Sequence, residues 1–250
     1  MLEPYVKLEI DNQVGYVEFF HPEHNAMPSD NLKKLEQAIV NAGNSNAIKV
    51  IVLKSGGGRT FCAGASFKEL IAIDDAKTGK QFFLGFANVI NAMRKCPKLI
   101  IGRVQGKAVG GGVGLAAATD YCLATKYAAI KLSELSIGIG PFVIEPAVSR
   151  KIGQTAMSQM TINAEHFFTA EFAKEKGLYA DVFDTAEALN NGVKALAERL
   201  ASYNPEALKE IKKVFWSDTA HWDSLLDERA KISGQLVLSA FTKETLKRFK

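Results

Sequence analysis

The chain has 250 residues, of which 47% are hydrophobic and 23% are charged, and its formal net charge is +4. These proportions are ordinary for a globular protein, and the length allows one large domain with a well-buried core. The mild positive charge would suit an anionic small molecule. It is not concentrated in a cluster before the last few residues, so we expect no nucleic-acid partner.

The sequence predicts neither export nor membrane insertion. Residues 1–11 carry several charges and lack the apolar core of a signal peptide. The uncharged stretch at residues 108–119 is short and full of glycine, unlike a transmembrane helix. We therefore expect a cytoplasmic protein. Cys62, Cys96 and Cys122 lack metal-ligand spacing, so they are expected to be buried free thiols, and no metal site is predicted.

Hydrophobic patterns in the first half predict alternating strands and helices. Residues 6–10 and 14–20 alternate apolar and polar side chains around a turn, which is typical of a hairpin. Either Ser29 or Asp30 is the expected N-cap of the first helix. Further strands are expected at residues 50–53, 99–104, 120–125 and 129–133, and further helices from residue 67, at residues 80–94 and up to residue 118.

The second half is predicted to be mostly helical. After Pro141 the helical pattern continues almost to the end, with strong runs at residues 186–203, 205–215 and 222–238. Strands alternating with helices, followed by helices alone, indicate an α/β fold with a helical C-terminal portion.

Two segments of small residues follow predicted strands. Residues 60–66 read Thr-Phe-Cys-Ala-Gly-Ala-Ser, and residues 106–114 place three consecutive glycines before a helix. Small side chains let a ligand approach the backbone, and a helix N-terminus offers N–H donors to an anion. The glycine spacing fits neither a dinucleotide-binding fingerprint nor a phosphate loop. An oxyanion therefore suits the second segment, whereas the first also fits an ordinary tight turn.

A third segment, residues 131–142, places Glu134 in an otherwise apolar run. A carboxylate in apolar surroundings has a raised pKa, which is useful for shuttling a proton. The alternative is a partly exposed loop glutamate without a chemical role.

In this order the segments resemble the enoyl-CoA hydratase/isomerase (crotonase) superfamily over nearly the whole chain. Residues 21–27 resemble the family's Arg-Pro-x-x-x-Asn-Ala-Leu stretch, and residues 61–66 its Phe-x-Ala-Gly-Ala-Asp. Residues 106–115 with Asp120 resemble its Gly-x-x-x-Gly-Gly-Gly-x-Glu-Leu with a downstream Asp, and residues 132–140 its Pro-Glu-x-x-x-Gly.

The resemblance implies a crotonase-like spiral of ββα units with a helical C-terminal region. We accordingly expect a core domain at residues 1–200 and a helical trimerisation region at residues 201–250. The implied partner is an acyl-CoA substrate, with no cofactor besides the CoA that the substrate carries. The implied assembly is a homotrimer or a dimer of trimers.

The resemblance also implies site residues. The backbone N–H groups of Ala65 and Gly111 would form an oxyanion hole for the thioester oxygen. Phe241, with the basic residues after it, resembles the tail that reaches a neighbour's CoA, although a plain polar helix face would look the same. Arg59 is a candidate phosphate contact or a solvated loop residue. The expected contacts with CoA or the acyl group are His24, Ala26, Arg59, Ala63, Ser66, Phe67, Phe142 and Phe241.

Departures from the family pattern bear on the reaction. Family hydratases use two glutamates, of which the first would fall at Gly114 and the second maps to Glu134. One glutamate suits Δ3,Δ2-enoyl-CoA isomerisation, in which it takes a proton from C2 and returns it at C4. Pro141 followed by Phe142 resembles a segment of some family isomerases, and Phe142 implies an altered acyl pocket.

Glu145 keeps other readings open. It is a candidate second catalytic carboxylate, which would make the chain a hydratase, including one for branched enoyl-CoAs. It also fits a helix N-terminus, because Pro146 follows it. Decarboxylation, other enolate chemistry and a non-catalytic acyl-CoA-binding role remain alternatives. All four histidines also fit structural or exposed positions.

Overall fold

The computed structural model describes residues 3–249. Its strands are β1 (Tyr5–Asp11), β2 (Val14–Phe20), β3 (Val50–Ser55), β4 (Thr60–Cys62), β5 (Ile100–Val104), β6 (Lys107–Val109), β7 (Tyr121–Thr125), β8 (Ile130–Lys131) and β9 (Asp181–Phe183). Its helices are α1 (Ser29–Asn44), α2 (Phe67–Ala72), α3 (Ala76–Lys95), α4 (Gly111–Ala117), α5 (Glu145–Ile162), α6 (Ala170–Glu175), α7 (Ala186–Ala201), α8 (Pro205–Phe215), α9 (Trp222–Leu236) and α10 (Ala240–Leu246). A 3₁₀ helix, Glu134–Ile137, lies between β8 and α5.

The strands form two separate sheets. The larger has the order β1-β2-β3-β5-β7-β9 and the smaller the order β4-β6-β8. Apart from the antiparallel hairpin of β1 and β2, the paired strands are parallel. From β3 to β8, the chain therefore places one strand in the large sheet and the next in the small sheet, with helices after each of these pairs. This is the spiral of ββα units that the resemblance implied.

Side chains of β3 alternate between two apolar layers, as the pleat of a strand requires. Ile51 and Leu53 face a core that includes Leu35 of α1 and Met93 of α3. Val50 and Val52 face a second cluster that includes residues of α7 (Leu189, Val193 and Ala197). Helices thus cover both faces of the large sheet, as expected for a parallel sheet with strongly apolar strands.

Asp120 connects the C-terminal helices to the large sheet. Its carboxylate accepts hydrogen bonds from the Ile100 N–H at 2.7 Å, from Lys212 Nζ at 2.9 Å and from Trp216 Nε1 at 2.7 Å. The Lys212 and Asp120 side chains are almost fully buried, so each charge is stabilised by its ion-pair partner in place of water. The family-like aspartate therefore holds α8 in place.

The close contact of α9 with α3 depends on two glycines. A Cβ added to Gly79 would lie 2.6 Å from the carbonyl oxygen of Gly234, which no side chain could tolerate. The two helix backbones therefore approach directly. The division at residue 200 and the trimerisation role of residues 201–250 stay predictions.

The observed elements confirm most of the predicted ones, including the hairpin and the helix-rich second half. The predicted cap of α1 is wrong. The residue before the helix is Pro28, which provides no side-chain cap, and the Ser29 hydroxyl instead donates to Glu69 Oε2 at 2.6 Å. A bond to a charged carboxylate is stronger than one to a neutral partner. The predicted strand at 129–133 is only Ile130–Lys131, because the 3₁₀ helix begins at Glu134.

The cysteine prediction is also confirmed: Cys62, Cys96 and Cys122 are buried free thiols. Within residues 3–249, no helix has the length and apolarity needed to cross a bilayer.

Candidate active site

The loops that follow β4 and β6 meet at one edge of the small sheet. These two strands are parallel neighbours, so the segments after them emerge side by side. Gly64 has a φ of +89°, and a Cβ added to it would lie 3.1 Å from the Val109 carbonyl oxygen and 3.6 Å from the Gly111 nitrogen. Glycine at position 64 therefore allows the segment that contains Ala65 to approach Gly111.

The N–H groups of Ala65 and Gly111 are unpaired donors. Neighbouring peptides are fixed, because Met27 N–H donates to Gly64 O at 2.8 Å and Ser66 N–H to Met27 O at 3.4 Å. No hydrogen bond within residues 3–249 uses the N–H of Ala65 or Gly111. Two rigid, free N–H donors in adjacent loops are the arrangement that stabilises a developing oxyanion.

The Glu134 carboxyl group lies against the same loop. A Cβ added to Gly110, the residue before Gly111, would lie 2.8 Å from Glu134 Oε1. Glu134 Oε2 is buried and has no hydrogen-bond partner in the part of the chain that the structure describes. Burial disfavours the charged form and raises the pKa of Glu134 to about 7. At neutral pH this carboxyl can therefore either accept or donate a proton.

The contacts of α4 at Gly114 and Gly111 are apolar. Gly114 lies one turn into α4, and a Cβ added there would lie 2.4 Å from Ile144 Cγ2. The Ile144 side chain thus occupies the space that a longer side chain at position 114 would need. Phe86 of α3 packs on Gly111 in the same way, because a Cβ there would lie 2.3 Å from its ring.

These groups surround one pocket with about 650 Å³ of empty space, its open mouth included. Six of the residues predicted from the sequence line it: Ala63, Ala65, Phe67, Gly111, Glu134 and Phe142. The rest of the lining is largely apolar and includes Leu70, Phe83, Phe86, Ile137, Ile139, Val143 and Ile144, together with Ser233 of α9.

The structure does not bring Glu145 into this lining. Glu145 Oε1 accepts a hydrogen bond from Ser149 Oγ at 2.6 Å, and Oε2 lies 3.8 Å from a guanidinium nitrogen of Arg229. Both residues of this ion pair line a second depression. The interpretation of Glu145 as a helix N-terminal residue agrees with the structure, in which it is the first residue of α5 and Pro146 follows it.

Other predicted contacts lie around the pocket. Ala26 is buried next to Met27, which bridges to Ala65. Ser66 is buried and caps α2, since its Oγ accepts a hydrogen bond from the Glu69 N–H at 3.4 Å. Phe241 is exposed on α10 and packs on Gly138, beside the 3₁₀ helix of its own chain.

His24 and Arg59 lie exposed on two loops that Asn25 joins. The Asn25 side-chain amide donates to Gly56 O and to Thr60 O, each at 2.8 Å. Gln105 supports the same loop from inside, donating to Ser55 Oγ at 2.9 Å.

Sequence reasoning gave no role to Asn25, Gln105, Phe86 or Ser233. Asn25 belongs to the early family-like motif at residues 21–27, which could have indicated that it has a role. No sequence pattern indicates a role for the other three residues, because only the fold brings them to the site.

A fold of ββα units with a two-donor loop pair and a buried carboxylate defines a class of acyl-thioester enzymes, and the sequence comparison agrees. The sequence model of the family described as enoyl-CoA hydratase/isomerase matches residues 9–249. The chain belongs to this family, whose members act on acyl-CoA substrates.

Some relatives are named as isomerases and others as hydratases. The chain is 29% identical over 234 residues to the peroxisomal Delta(3,5)-Delta(2,4)-dienoyl-CoA isomerase of Arabidopsis thaliana, covering 85% of this chain and 82% of the relative. It is 29% identical over 210 residues to the short-chain-enoyl-CoA hydratase of Clostridium acetobutylicum, covering 83% and 79%. The enoyl-CoA hydratase structure from Bacillus halodurans shares the fold, with a TM-score of 0.89 at 21% identity and coverage of 98% and 99%.

Proposed function

We propose that this enzyme is a Δ3,Δ2-enoyl-CoA isomerase that uses Glu134 as its only acid–base group. One observation carries the proposal. Glu134 is the one carboxylate among the described residues that line the pocket, and an isoleucine fills the space beside Gly114. The similarity to a relative named as a dienoyl-CoA isomerase is consistent with it.

In the proposed reaction the N–H groups of Ala65 and Gly111 donate to the thioester oxygen of a 3-enoyl-CoA. The Glu134 carboxylate removes a proton from C2, and the electron pair of that C–H bond passes into a dienolate whose negative charge rests on the oxygen. The dienolate then takes the same proton back at C4, which leaves the double bond between C2 and C3. The pKa of about 7 suits both steps, because it lies near neutral pH.

No cofactor is needed besides the CoA of the substrate, because the reaction is a net proton transfer within one molecule. His24, Ala26, Arg59, Ser66 and Phe67 are proposed to contact CoA. Arg59 and His24 are exposed on adjoining loops, and Arg59 can reach an anionic ligand without burying its own charge.

Hydration is the less favoured reaction for this pocket. It would need a second group to activate water, and the candidate is Glu145. That carboxylate is held by Ser149 and Arg229 in the second depression. A hydratase mechanism would therefore require Glu145 to leave both partners.

The assembly is proposed to be a homotrimer or a dimer of trimers, as in the family. The exposed apolar side chains of Ile211, Val214 and Phe215 on α8 support an additional contact, since large apolar side chains near one another favour association. Sedimentation equilibrium of the purified protein tests this, and a monomer at micromolar concentration would contradict it.

The reaction is tested by a spectroscopic assay with 3-hexenoyl-CoA and, separately, with crotonyl-CoA. We expect the first substrate to gain the absorbance of a conjugated 2-enoyl thioester. We expect the second to keep its absorbance, because no water is added. Loss of the crotonyl-CoA absorbance would show a hydratase instead, and no change with either substrate would favour other enolate chemistry or a binding role.

A further inference from the structure

Two spaces in the molecule meet at Pro141 and Phe142. The active-site pocket and the second depression, which also has Glu145, Met157 and Arg229 in its lining, are both bordered by Pro141 and Phe142. The second depression has about 900 Å³ of empty space, its open mouth included. Pro141 and the ring of Phe142 thus border both the pocket that contains Glu134 and the second depression.

Helix α9 borders both spaces in the same order. Ser233 lines the active-site pocket and Arg229, one turn earlier, lines the second depression. Residues four apart lie on the same helix face. The two spaces therefore follow each other along α9, as successive parts of one path would.

The ring of Phe142 is held in place beside both spaces. A Cβ added to Gly140 would lie 2.5 Å from the Phe142 ring, so the ring lies directly on the Gly140 backbone. Phe142 is only half-buried, whereas Pro141, Val143 and Ile144 beside it are buried. The Phe142 side chain therefore has space around it, and the core depends on it less than on its neighbours.

We propose that Phe142 sets the length of acyl chain that the enzyme accepts, and that the second depression is the blocked continuation of the acyl pocket. Short acyl chains end against the ring. Removing the ring would join the two spaces and let a longer acyl chain pass between α5 and α9. Met157 supplies apolar surface there, and the charges of Glu145 and Arg229 compensate each other. The proposal rests on the acyl-CoA binding proposed above, but not on the isomerisation.

Binding of unreactive saturated thioesters tests whether Phe142 is a partition between the two spaces, without using the reaction. Titration calorimetry with butanoyl-, hexanoyl-, octanoyl-, decanoyl- and dodecanoyl-CoA would compare the wild type with Phe142→Ala. For the wild type we expect the affinity to stop rising at a short chain. For Phe142→Ala we expect it to keep rising to longer chains, by about fourfold for each methylene group that becomes buried.

Two further variants make the result specific. Met157→Ala enlarges the second depression but leaves the Phe142 ring in place, so its length profile should match the wild type. Ser158→Phe, combined with Phe142→Ala, refills the second depression and should restore the short limit. Phe142→Leu provides a milder opening if the alanine variant does not fold.

The possible results separate this proposal from the proposed function. Identical length profiles for the wild type and the opened variants would overturn the partition. No binding of any acyl-CoA by the wild type would overturn both the partition and the proposed function. A shift toward longer chains, together with no isomerase activity, would confirm the partition and overturn the isomerisation.

Discussion

Glu134 and Glu145, the two glutamates that the sequence offered as catalytic groups, show how surroundings separate groups of the same chemistry. The Glu134 carboxyl group lies against Gly110 with its buried Oε2 unpaired, and burial of this group raises its pKa to about 7. Glu145 has a hydroxyl donor and a guanidinium beside it. The first is costly to the fold and is suited to move a proton. The second contributes to the start of a helix.

The largest expected effect is on turnover by Glu134→Gln. The amide keeps the shape of the side chain but cannot take a proton, so the 3-enoyl-CoA rate should fall by about 10²- to 10⁴-fold. Acyl-CoA affinity should change little, because the oxyanion donors and the CoA contacts remain. Steady-state kinetics and calorimetric titration measure the two quantities.

Glu145→Gln is the matched control for this comparison. It should keep at least a large fraction of the wild-type rate, since its carboxylate lies outside the active-site pocket. Equal losses for the two variants would contradict the assignment of the proton shuttle to Glu134 alone.

The second effect concerns the oxyanion donors. Gly111→Ala adds a Cβ that would lie 2.3 Å from the Phe86 ring, so the Gly111 peptide must shift away from its present position. Displacing one donor should lower turnover by about 10²- to 10³-fold. The expected change is in kcat more than in KM, because the donors act most strongly on the enolate.

Phe86→Leu in the Gly111→Ala background tests the cause. A smaller side chain relieves the overlap, so part of the lost rate should return. If the double variant were no faster than Gly111→Ala, the loss would not come from this contact.

The third effect is on stability and depends on pH. Burial raises the pKa of Glu134 from an ordinary 4.5 to about 7, so the folded protein binds this proton more tightly than the unfolded chain. The free energy of unfolding therefore falls as the pH rises from 4.5 to 7, and the full penalty is present above pH 7. At about 1.4 kcal/mol for each pKa unit, it reaches up to ~3 kcal/mol.

Glu134→Gln should remove this penalty. Urea denaturation at pH 8 should find the variant more stable than the wild type, and the difference should shrink toward zero near pH 4, where both side chains are neutral. A stability difference that is the same at both pH values would show that burial of the charge is not its cause.

Much of this site could be predicted from the sequence because its parts are local. The loop around Ala65 and the glycines before α4 are backbone features, which small residues in a short stretch reveal directly. The raised pKa of Glu134 also follows from its apolar neighbours in the chain. The strands β4 and β6 were not predicted, because three residues are too few for an alternating pattern.

The relation between Gly114 and Ile144 could not be predicted, because thirty residues separate them and only the fold brings them together. The same holds for Phe86 on Gly111. The position of Glu145 was ambiguous for the same reason: a helix N-terminus can face a pocket or turn from it, and the local sequence is identical in both cases.

The smallest effect is a gain of activity, and it tests why the second carboxylate is absent. Gly114→Glu alone places its side chain on Ile144, and overpacking of this kind costs about 1–3 kcal/mol of stability. Gly114→Glu combined with Ile144→Gly opens the space and brings a second carboxylate to the pocket opposite Glu134. We expect slow hydration of crotonyl-CoA by the double variant, and none above background by the wild type.

The gain should be small because a hydratase also needs a held water molecule, and the surrounding Val143 and Phe142 offer it no polar partner. Ile144→Gly alone is the control, since it opens the same space without adding a carboxylate. Hydration by that control would mean that Glu134 activates water unaided. In that case Ile144 would favour isomerisation by excluding water from the pocket. Hydration by the double variant alone would instead show that the absence of a carboxylate at position 114 prevents hydration in the wild type.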